Sequence, residues 1–357
     1  MASSLKSILV VRTDRLGDVV LTLPMLPLLR RSFPDAHLSM LLSRYTGAVA
    51  EGNPYLDSII WYDDGPQVRP RAELVQELRL RRFDAAIVAR PTPRLAWLLF
   101  SAGIPLRIGT GYRFYSLLFT RRVYEHRRSG SRHELEYNLN LLSALGCSVP
   151  SGKVTPEFGL RVAESERREI EQLLGPPRGA RRVILHPGSG GSSRDWPAER
   201  FGELGARLAG TDDVQIIVTG AASDRDAVER AKQLLGPVVI DLCGRLSVKQ
   251  LAALIASSAL FVSNSTGPVH IAAALGVPVL AFYPRIPVMS QRRWGPYTDN
   301  KSVLEPDGPE DCRKCRGRGR RPCECMASIP VELALESARR LLGATSMERG
   351  REVAHAH

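Results

Sequence analysis

Short apolar runs alternate with helical segments along most of the chain, and this alternation restricts the fold more than any other feature. In the first half, runs typical of buried strands occur at Ser7–Arg12, His37–Leu42, Ser58–Tyr62 and Ala85–Ala89. Similar runs return in the second half, at Val183–His186, Val214–Thr219, Val238–Asp241, Leu260–Ser263 and Val279–Tyr283. Strands separated by helices pair in parallel, with helices on both faces of the sheet. The sequence therefore predicts an α/β fold of two Rossmann-like, doubly wound domains that face a cleft.

The length of 357 residues is too great for one ordinary hydrophobic core and suits two domains. We place the first domain at residues 1–174, a linker rich in Gly and Pro at 175–182, and the second domain at 183–330. An amphipathic helix is expected at 331–345, and residues 346–357 are expected to be a disordered tail. Within the first domain, the pattern predicts one continuous helix from Asp18 to about Phe33.

The chain is basic, with a formal net charge of +12. A solvated, arginine-rich surface accounts for part of this charge, and attraction to a polyanion could account for the rest. The sequence has no RNA-binding aromatic motif and no zinc-finger spacing with His. We therefore expect an anionic acceptor at a membrane surface and no nucleic-acid partner.

The apolar runs are all shorter than a membrane span, and residues 1–6 lack the long apolar core of a signal peptide. These two observations predict a cytoplasmic protein. Together with the basic charge, they favour a peripheral position on the cytoplasmic face of the inner membrane.

Ligands of open parallel sheets bind at the carboxyl ends of the strands, so the loops after strands are the candidates for chemistry. The first of these loops is Arg12–Asp18, which contains Arg12, Arg15 and Asp18. Asp is a favoured helix N-cap, and a carboxylate here could equally take a proton from an attacking hydroxyl. The residues alone leave both roles open for Asp18.

The second loop follows the first strand of the second half and runs from His186 to Trp196. Its glycines and hydroxyls expose backbone N–H groups and Arg194 adds positive charge, which suits a phosphate or pyrophosphate. The spacing fits neither the P-loop nor the dinucleotide fingerprint. A flexible Gly/Ser loop is the alternative.

The third loop, Ser263–His270, lies between a strand and a helix of small residues. Polar side chains and a Pro at a helix N-terminus make an anion site, and His270 could reach a phosphate or a sugar hydroxyl. The alternative is an ordinary capped helix, with Ser265 or Thr266 as the cap and His270 packed in the core.

Taken in order, these loops resemble glycosyltransferase family 9, whose best-known members are the lipopolysaccharide heptosyltransferases. The resemblance is carried by Ile8–Pro24, His133-Glu134 before Asn138–Leu142, His186-Pro187-Gly188 with Arg194–Pro197, Gly267–Ala274 and Arg293–Tyr297. It implies the GT-B architecture, with an acceptor domain followed by a nucleotide-sugar domain. It also implies that the C-terminal helix crosses back to the first domain.

The resemblance further implies an inverting transfer of a heptose from ADP-heptose to the inner core of lipopolysaccharide, without a metal or cofactor. Asp18 is then the catalytic base, and Arg12 and Arg15 bind the acceptor. The remaining roles fall to donor-binding residues: Ser189, Gly190, Ser193, Arg194, Asp224, Ser265, Thr266, Gly267 and His270.

One departure bears on the donor. Many family members have Asp-Thr-Gly or Asp-Ser-Gly where this chain has Ser265-Thr266-Gly267. The missing carboxylate raises an alternative, a GT-B enzyme that uses another donor sugar and acts on a different surface glycan. A non-catalytic sugar- or nucleotide-binding protein is a further alternative, against which the retained Asp18 argues. A nucleic-acid-binding protein is a third, which only the basic charge favours.

Four of the six cysteines crowd together at Cys312, Cys315, Cys323 and Cys325. Two close thiol pairs can hold zinc, although a single residue between the second pair is a poor spacing for it. The alternative is a reduced structural or redox-labile loop, because disulfides are disfavoured in the cytosol.

Overall fold

The computed structural model of the protein describes residues 5–150, 152, 154–175, 181–211, 213–236, 239–308 and 324–354. The chain divides into two compact units. Unit 1 holds the described residues up to Arg127 together with Arg132–Arg161, and unit 2 holds Arg128–Ser131 and the described residues from Val162 onward. The boundary therefore precedes the helix at 164–174, which we had assigned to the first domain. That helix packs within unit 2, where Glu169 accepts a hydrogen bond from Gln250.

Unit 1 is built on a six-stranded sheet in which all neighbouring strands are parallel. The strands are β1 (Ser7–Val11), β2 (His37–Leu42), β3 (Ser58–Trp61), β4 (Ala85–Val88), β5 (Leu106–Thr110) and β6 (Arg121–Val123), in the order β3-β2-β1-β4-β5-β6. A two-residue antiparallel ribbon pairs Asp63–Asp64 with Gln67–Val68. The order reverses between β1 and β4, which places the loop after β1 at a topological switch point.

Five longer helices accompany this sheet: α1 (Leu16–Val20), α2 (Met25–Ser32), α3 (Arg71–Arg81), α4 (Pro93–Ser101) and α5 (Glu134–Asn140). A single turn lies at Arg44–Gly47. On one face, apolar residues of β1 and β4 pack against Leu74 and Leu78 of α3 and against Leu95 and Leu98 of α4. Each helix thus buries one stripe of side chains on the sheet.

The continuous helix predicted from Asp18 to Phe33 is wrong, because α1 ends at Val20 and α2 begins at Met25. Turns occupy the residues between them. Pro24 lacks the N–H that an uninterrupted helix would need at that position. The Thr22 hydroxyl also donates to the Asp18 carbonyl over 2.7 Å. The break leaves Asp18 on a short helix of its own.

Unit 2 repeats the same topology. Its strands are β7 (Arg181–His186), β8 (Val214–Val218), β9 (Ile240–Asp241), β10 (Leu260–Asn264), β11 (Val279–Phe282) and β12 (Lys301–Leu304), in the order β9-β8-β7-β10-β11-β12 and all parallel. Its helices are α6 (Glu164–Leu174), α7 (Ala198–Thr211), α8 (Arg225–Leu235), α9 (Val248–Ala256), α10 (Gly267–Ala274) and α11 (Val331–Ala354), with a single turn at Gln291–Trp294. The predicted α/β, GT-B fold is confirmed.

The remaining domain predictions need correction in three places. The predicted linker overlaps β7 at Arg181 and Arg182, while residues 176–180 lie outside the described residues. Helix α11 runs to Ala354, through most of the stretch predicted as a disordered tail, because that stretch consists mainly of good helix formers. The apolar side chains of α11 that we expected to pack on the first domain instead complete the core of unit 2, at Ala334, Ala338 and Leu342.

Edge strands β6 and β12 have no counterpart among the predicted strands. Strand β6 contains the exposed Arg121 and Arg122, so it lacks the apolar run by which a strand is predicted from sequence. Of the described helices, none is both long and apolar enough to cross a membrane.

Candidate active site

In unit 1, the loop after β1 brings Asp18 into the first turn of α1. The N-cap of this helix is Arg15, so Asp18 lies inside the helix and does not cap it. The Asp18 carboxylate instead accepts a hydrogen bond from the guanidinium of Arg12. Its side chain is 11% exposed, so Asp18 is largely buried without being fully enclosed. The geometry thus removes the capping alternative for Asp18.

Arg12 is the centre of this cluster and is itself 2% exposed. Its guanidinium donates to Asp14 over 2.6 Å and to the amide oxygen of Asn138 over 3.3 Å, in addition to Asp18. Glu134 lies 3.6 Å from the same group. A buried guanidinium in this position orients Asp18, which differs from the acceptor contact predicted for Arg12. Arg15, in contrast, is exposed.

Helix α5 supplies the far side of the cluster. Asn138 is fully buried and donates to the Leu21 carbonyl over 3.1 Å, while Glu134 accepts from Arg127 over 2.6 Å. These residues were part of the sequence resemblance but were assigned no role in the site. Glu134 and Asn138 lie 122 and 126 positions from Arg12 in the chain, so only the fold brings them together. The buried polar helix face at Glu134 and Asn138 is the signal that could have identified them.

Burial raises the pKa of Asp18 to about 6, against the opposing pull of Arg12, while Asp14 and Glu134 add to the rise. Burial tends to lower the pKa of Arg12, but the three carboxylates outweigh it and hold that pKa above its usual value. Burial lowers the pKa of Arg127 despite its contact with Glu134. The site therefore contains a carboxylate poised to gain or lose a proton near neutral pH.

In unit 2, the loop after β7 is held by the start of α8. The backbone N–H of Gly190 donates to Asp224 over 3.2 Å, and the other oxygen of Asp224 accepts from Ala221 over 3.0 Å. A Cβ at Gly188 would lie 2.2 Å from the Asp224 carboxyl carbon. Gly190 and Gly191 both have positive φ, a conformation that favours glycine. The glycines of this loop are thus required by its shape.

The same loop is fastened to the segment that follows β10. The Asn264 side chain donates to the Pro187 carbonyl over 2.7 Å and accepts from the backbone N–H of Trp196 over 2.8 Å. The Ser192 hydroxyl donates to the Ser265 carbonyl over 3.2 Å. The second and third loops of the sequence prediction therefore meet at one edge of this sheet.

The middle of the loop buries polar groups. Ser193 and Arg194 are each 7% exposed, and the Ser193 hydroxyl has no hydrogen-bond partner within the described part of the chain. Burial raises the pKa of Asp195 to about 6, an effect that Ser189 and Arg194 oppose and Asp224 reinforces. Buried polar side chains of this kind are normally satisfied, so the cluster is suited to a polar ligand.

Helix α10 begins beside this cluster. Thr266 is its N-cap residue, and the Thr266 hydroxyl lies 3.2 Å from that of Ser263 rather than capping the helix. Gly267 opens the helix and His270 is buried one turn inside it. The exposed N–H groups of such a terminus favour an anion.

His186 and Trp196 flank the loop and support it. The His186 ring lies 2.9 Å from the Thr219 hydroxyl, and burial lowers the pKa of His186 to about 4 although Asp224 opposes the shift. Trp196 is fully buried, stacks on Phe282 at 4.0 Å and donates to the Ile329 carbonyl over 3.1 Å. Both side chains are structural neighbours of the loop.

Most of the cysteine cluster predicted from the sequence falls outside the part of the chain that the structure describes. Cys312, Cys315 and Cys323 lie outside the described residues, and Cys325 is a partly buried cysteine. Within the described ranges, no group of three or more His, Cys, Asp or Glu side chains is arranged to hold a metal ion.

Comparison with known proteins identifies the family. The model of glycosyltransferase family 9 (heptosyltransferase) matches residues 71–323. A Haemophilus influenzae protein named only as a glycosyltransferase is 26% identical over 301 residues, 83% of this chain and 87% of that protein.

Solved structures agree on the fold. A family 9 glycosyl transferase from Veillonella parvula superposes with a TM-score of 0.81 at 24% identity, over 96% of this chain and 98% of that one. The E. coli ADP-heptose lipopolysaccharide heptosyltransferase II superposes with a TM-score of 0.78 at 21% identity, over 95% and 99% of the two chains. Because the family model covers well over half of its length, this chain belongs to glycosyltransferase family 9 and is a glycosyltransferase of the GT-B fold.

Proposed function

We propose that the protein is an inverting glycosyltransferase that moves a heptose from ADP-heptose to an anionic inner-core acceptor of lipopolysaccharide. Family membership supplies the reaction class. The E. coli structural relative is named for ADP-heptose and lipopolysaccharide, which supports this donor and this acceptor. The predicted place of action is the cytoplasmic face of the inner membrane, with no nucleic-acid partner and no metal or cofactor.

The observation that carries the proposal is the arrangement around Asp18. Its carboxylate accepts a hydrogen bond from the buried Arg12, its side chain is 11% exposed, and its pKa is about 6. Such a group is ionised at neutral pH and can still accept a proton from an attacking hydroxyl. In a single displacement, the acceptor oxygen bonds to the anomeric carbon, its proton passes to Asp18, and the bond from that carbon to the diphosphate breaks.

We assign acceptor binding to the exposed Arg15, whose positive charge suits an anionic glycolipid. Arg12 serves as a positioning residue for Asp18, because its guanidinium is buried and donates to Asp14, Asn138 and Asp18 inside the cluster. Asp14, Glu134 and Asn138 complete its surroundings and hold its guanidinium in place.

Donor binding is assigned to the edge of the second sheet. Arg194, the hydroxyls of Ser189 and Ser193, and the N-terminus of α10 at Thr266 and Gly267 would stabilise the departing diphosphate. The buried Ser193 hydroxyl supports this role, because a phosphate oxygen would satisfy it. The other donor contacts remain as predicted from the sequence: Gly190, Asp224, Ser265 and His270.

Ser265 favours a second candidate, a GT-B glycosyltransferase that uses another nucleotide-sugar and modifies a different surface glycan. Its backbone carbonyl accepts from Ser192 and its side chain is partly exposed beside the loop. A serine here binds a sugar hydroxyl without the charge of the usual carboxylate, so the donor could differ in its sugar.

Replacing Asp18 by Asn tests the proposed base. Asp18→Asn keeps the size of the side chain and removes its basicity, so transfer should fall by about 10²-fold or more. ADP affinity should be retained, because the donor residues belong to unit 2. The exposed Asp64→Asn is the matched control. Turnover close to that of the wild type in Asp18→Asn would show that Asp18 is not the base.

Thermal unfolding with a panel of nucleoside diphosphates tests the donor separately. A ligand that binds only the folded state raises the melting temperature. ADP should produce the largest shift and Ser193→Ala should reduce it. A larger response to UDP or GDP would exclude an ADP-sugar and leave the second candidate.

A further inference from the structure

Unit 1 exposes several large apolar side chains along one stretch of chain. Phe114 and Leu117 are 80% and 78% exposed, and Trp97 and Phe100 are each 47% exposed. Trp97 and Phe100 are three residues apart on α4, and Phe114 and Leu117 three apart on the 3₁₀ turn Phe114–Leu118. Both spacings place the paired side chains on one side of their element.

The two elements are in contact and are fixed to one another. The Arg107 guanidinium lies 5.5 Å from the Phe100 ring and donates to the Leu118 carbonyl over 2.7 Å. Trp97 and Phe100 meet edge to face at 5.8 Å. The exposed side chains are therefore presented by a structured part of the fold.

Positive charge accompanies these apolar groups. From Ala85 to Tyr124 the sequence has six arginines and neither Asp nor Glu. Arg113 and Arg121 are exposed within this stretch. We name the set Trp97, Phe100, Arg113, Phe114, Leu117 and Arg121 the aromatic–arginine surface.

The residue types of the aromatic–arginine surface indicate what kind of partner it can bind. Aromatic side chains together with arginines bind the interface of an anionic bilayer, where the rings enter the headgroup region and the cations meet lipid phosphates. A second copy of the same surface would oppose arginine with arginine and supply no carboxylate. The charge therefore favours a lipid surface over self-association.

We propose that the aromatic–arginine surface docks unit 1 on an anionic lipid bilayer. The surface is connected to the candidate active site, because the Tyr115 hydroxyl donates to the Pro91 carbonyl over 2.8 Å and Arg90 pairs with Asp14 at 3.3 Å. Docking would hold the Asp18 loop close to a membrane-held glycolipid. The inference extends the proposed function, but its physical basis is the surface itself.

Vesicle flotation of the full-length protein tests the docking. We expect it to float with vesicles of phosphatidylethanolamine and phosphatidylglycerol and to stay unbound with pure phosphatidylcholine. Phe114→Ser/Leu117→Ser should weaken binding by about tenfold or more, through lost insertion of apolar groups. Arg113→Gln/Arg121→Gln should do so by a similar factor, through lost attraction to anionic lipid.

Matched variants control for general effects of exposed apolar or cationic residues. Leu80→Ser removes an apolar side chain of α3 that is 76% exposed and is not a member of the aromatic–arginine surface, and Arg168→Gln/Arg230→Gln removes two exposed arginines of unit 2. Both should bind vesicles as the wild type does. Circular dichroism of each variant should be unchanged, because surface substitutions of this kind cost little stability.

The proposal is overturned if the wild type does not bind anionic vesicles at low salt, or if Phe114→Ser/Leu117→Ser binds them as strongly as the wild type does. It is also overturned if that double variant instead abolishes a concentration-dependent dimer. ADP-induced thermal shifts in the same variants keep the two proposals apart. If the wild type does not bind vesicles but still shows the ADP-induced thermal shift, the docking proposal fails and the proposed function stands.

Discussion

Asp18 is a residue whose protonation is governed by its immediate neighbours. Burial favours the neutral acid, the Arg12 guanidinium favours the carboxylate, and Asp14 and Glu134 favour the acid again. The balance places the pKa at about 6. A base with this pKa is mostly ionised at neutral pH, whereas protonation removes its activity as the pH falls.

The pH dependence of transfer should report this balance. We expect kcat/KM to rise with pH, with a midpoint near 6, and to level above it, falling about tenfold per unit below the midpoint. Glu134→Gln should move the midpoint to lower pH, because it removes a neighbouring negative charge. The exposed Asp64→Asn should leave the midpoint in place. A flat profile between pH 5 and 7 in the wild type would contradict the assignment.

At the scale of elements, the loop after β7 depends on close contact with the start of α8. Asp224 accepts from Gly190 and leaves no room for a side chain at Gly188. The contact sets the path of the backbone toward Ser193 and Arg194. Displacing Asp224 should therefore disturb every proposed phosphate contact of the loop at once.

A single methyl group tests this dependence. Gly188→Ala should weaken ADP binding by about tenfold or more, because overpacking at the Asp224 contact costs roughly 1–3 kcal/mol. Gly210→Ala is the control, since a Cβ there meets no atom within 4 Å and α7 gains from alanine. Titration calorimetry with ADP measures both. Wild-type affinity in Gly188→Ala would refute the role of the contact.

The elements also show what the sequence could reveal. Strands such as β1 and β7 are apolar runs, and local periodicity identifies them. The meeting of Arg12 with Glu134 and Asn138 is not local, and no spacing in the sequence records it. The sequence predicts helix α11 but not the domain on which it packs. The apolar stripe of an amphipathic helix shows that one face is buried, and it does not show which surface covers that face. Pro24 marks the break between α1 and α2 in the sequence, but the apolar residues on both sides of it keep a helical spacing.

For the whole molecule, buried titratable groups link stability to pH. The pKa of His186 is about 4 in the folded protein and 6.5 ordinarily. Between pH 4 and pH 6.5, His186 is therefore protonated in the unfolded chain and neutral in the folded protein. The folded state is thus favoured above pH 6.5 and loses stability as the pH falls towards 4. Asp18 and Asp195, each with a pKa raised to about 6, act in the opposite direction.

Comparing variants at two pH values isolates the histidine. Between pH 7 and pH 5, the wild type should lose roughly 2 kcal/mol more stability than His186→Gln, because glutamine cannot become charged. The carboxylates contribute equally to both proteins and cancel. Urea unfolding followed by circular dichroism measures the difference, with the exposed His37→Gln as the control. An equal loss in wild type and His186→Gln would mean that His186 takes up its proton without penalty.

The strand order has a consequence for synthesis on the ribosome. Strand β1 lies at the centre of its sheet, and Ile8 pairs on one side with Leu38 and on the other with Ala85. At about 5–20 residues per second, roughly 4–15 seconds pass between translation of β1 and of its second partner. During that interval an apolar strand has an open edge, which is where misassociation begins. The nascent chain of unit 1 is therefore most open to misassociation before β4 has been made.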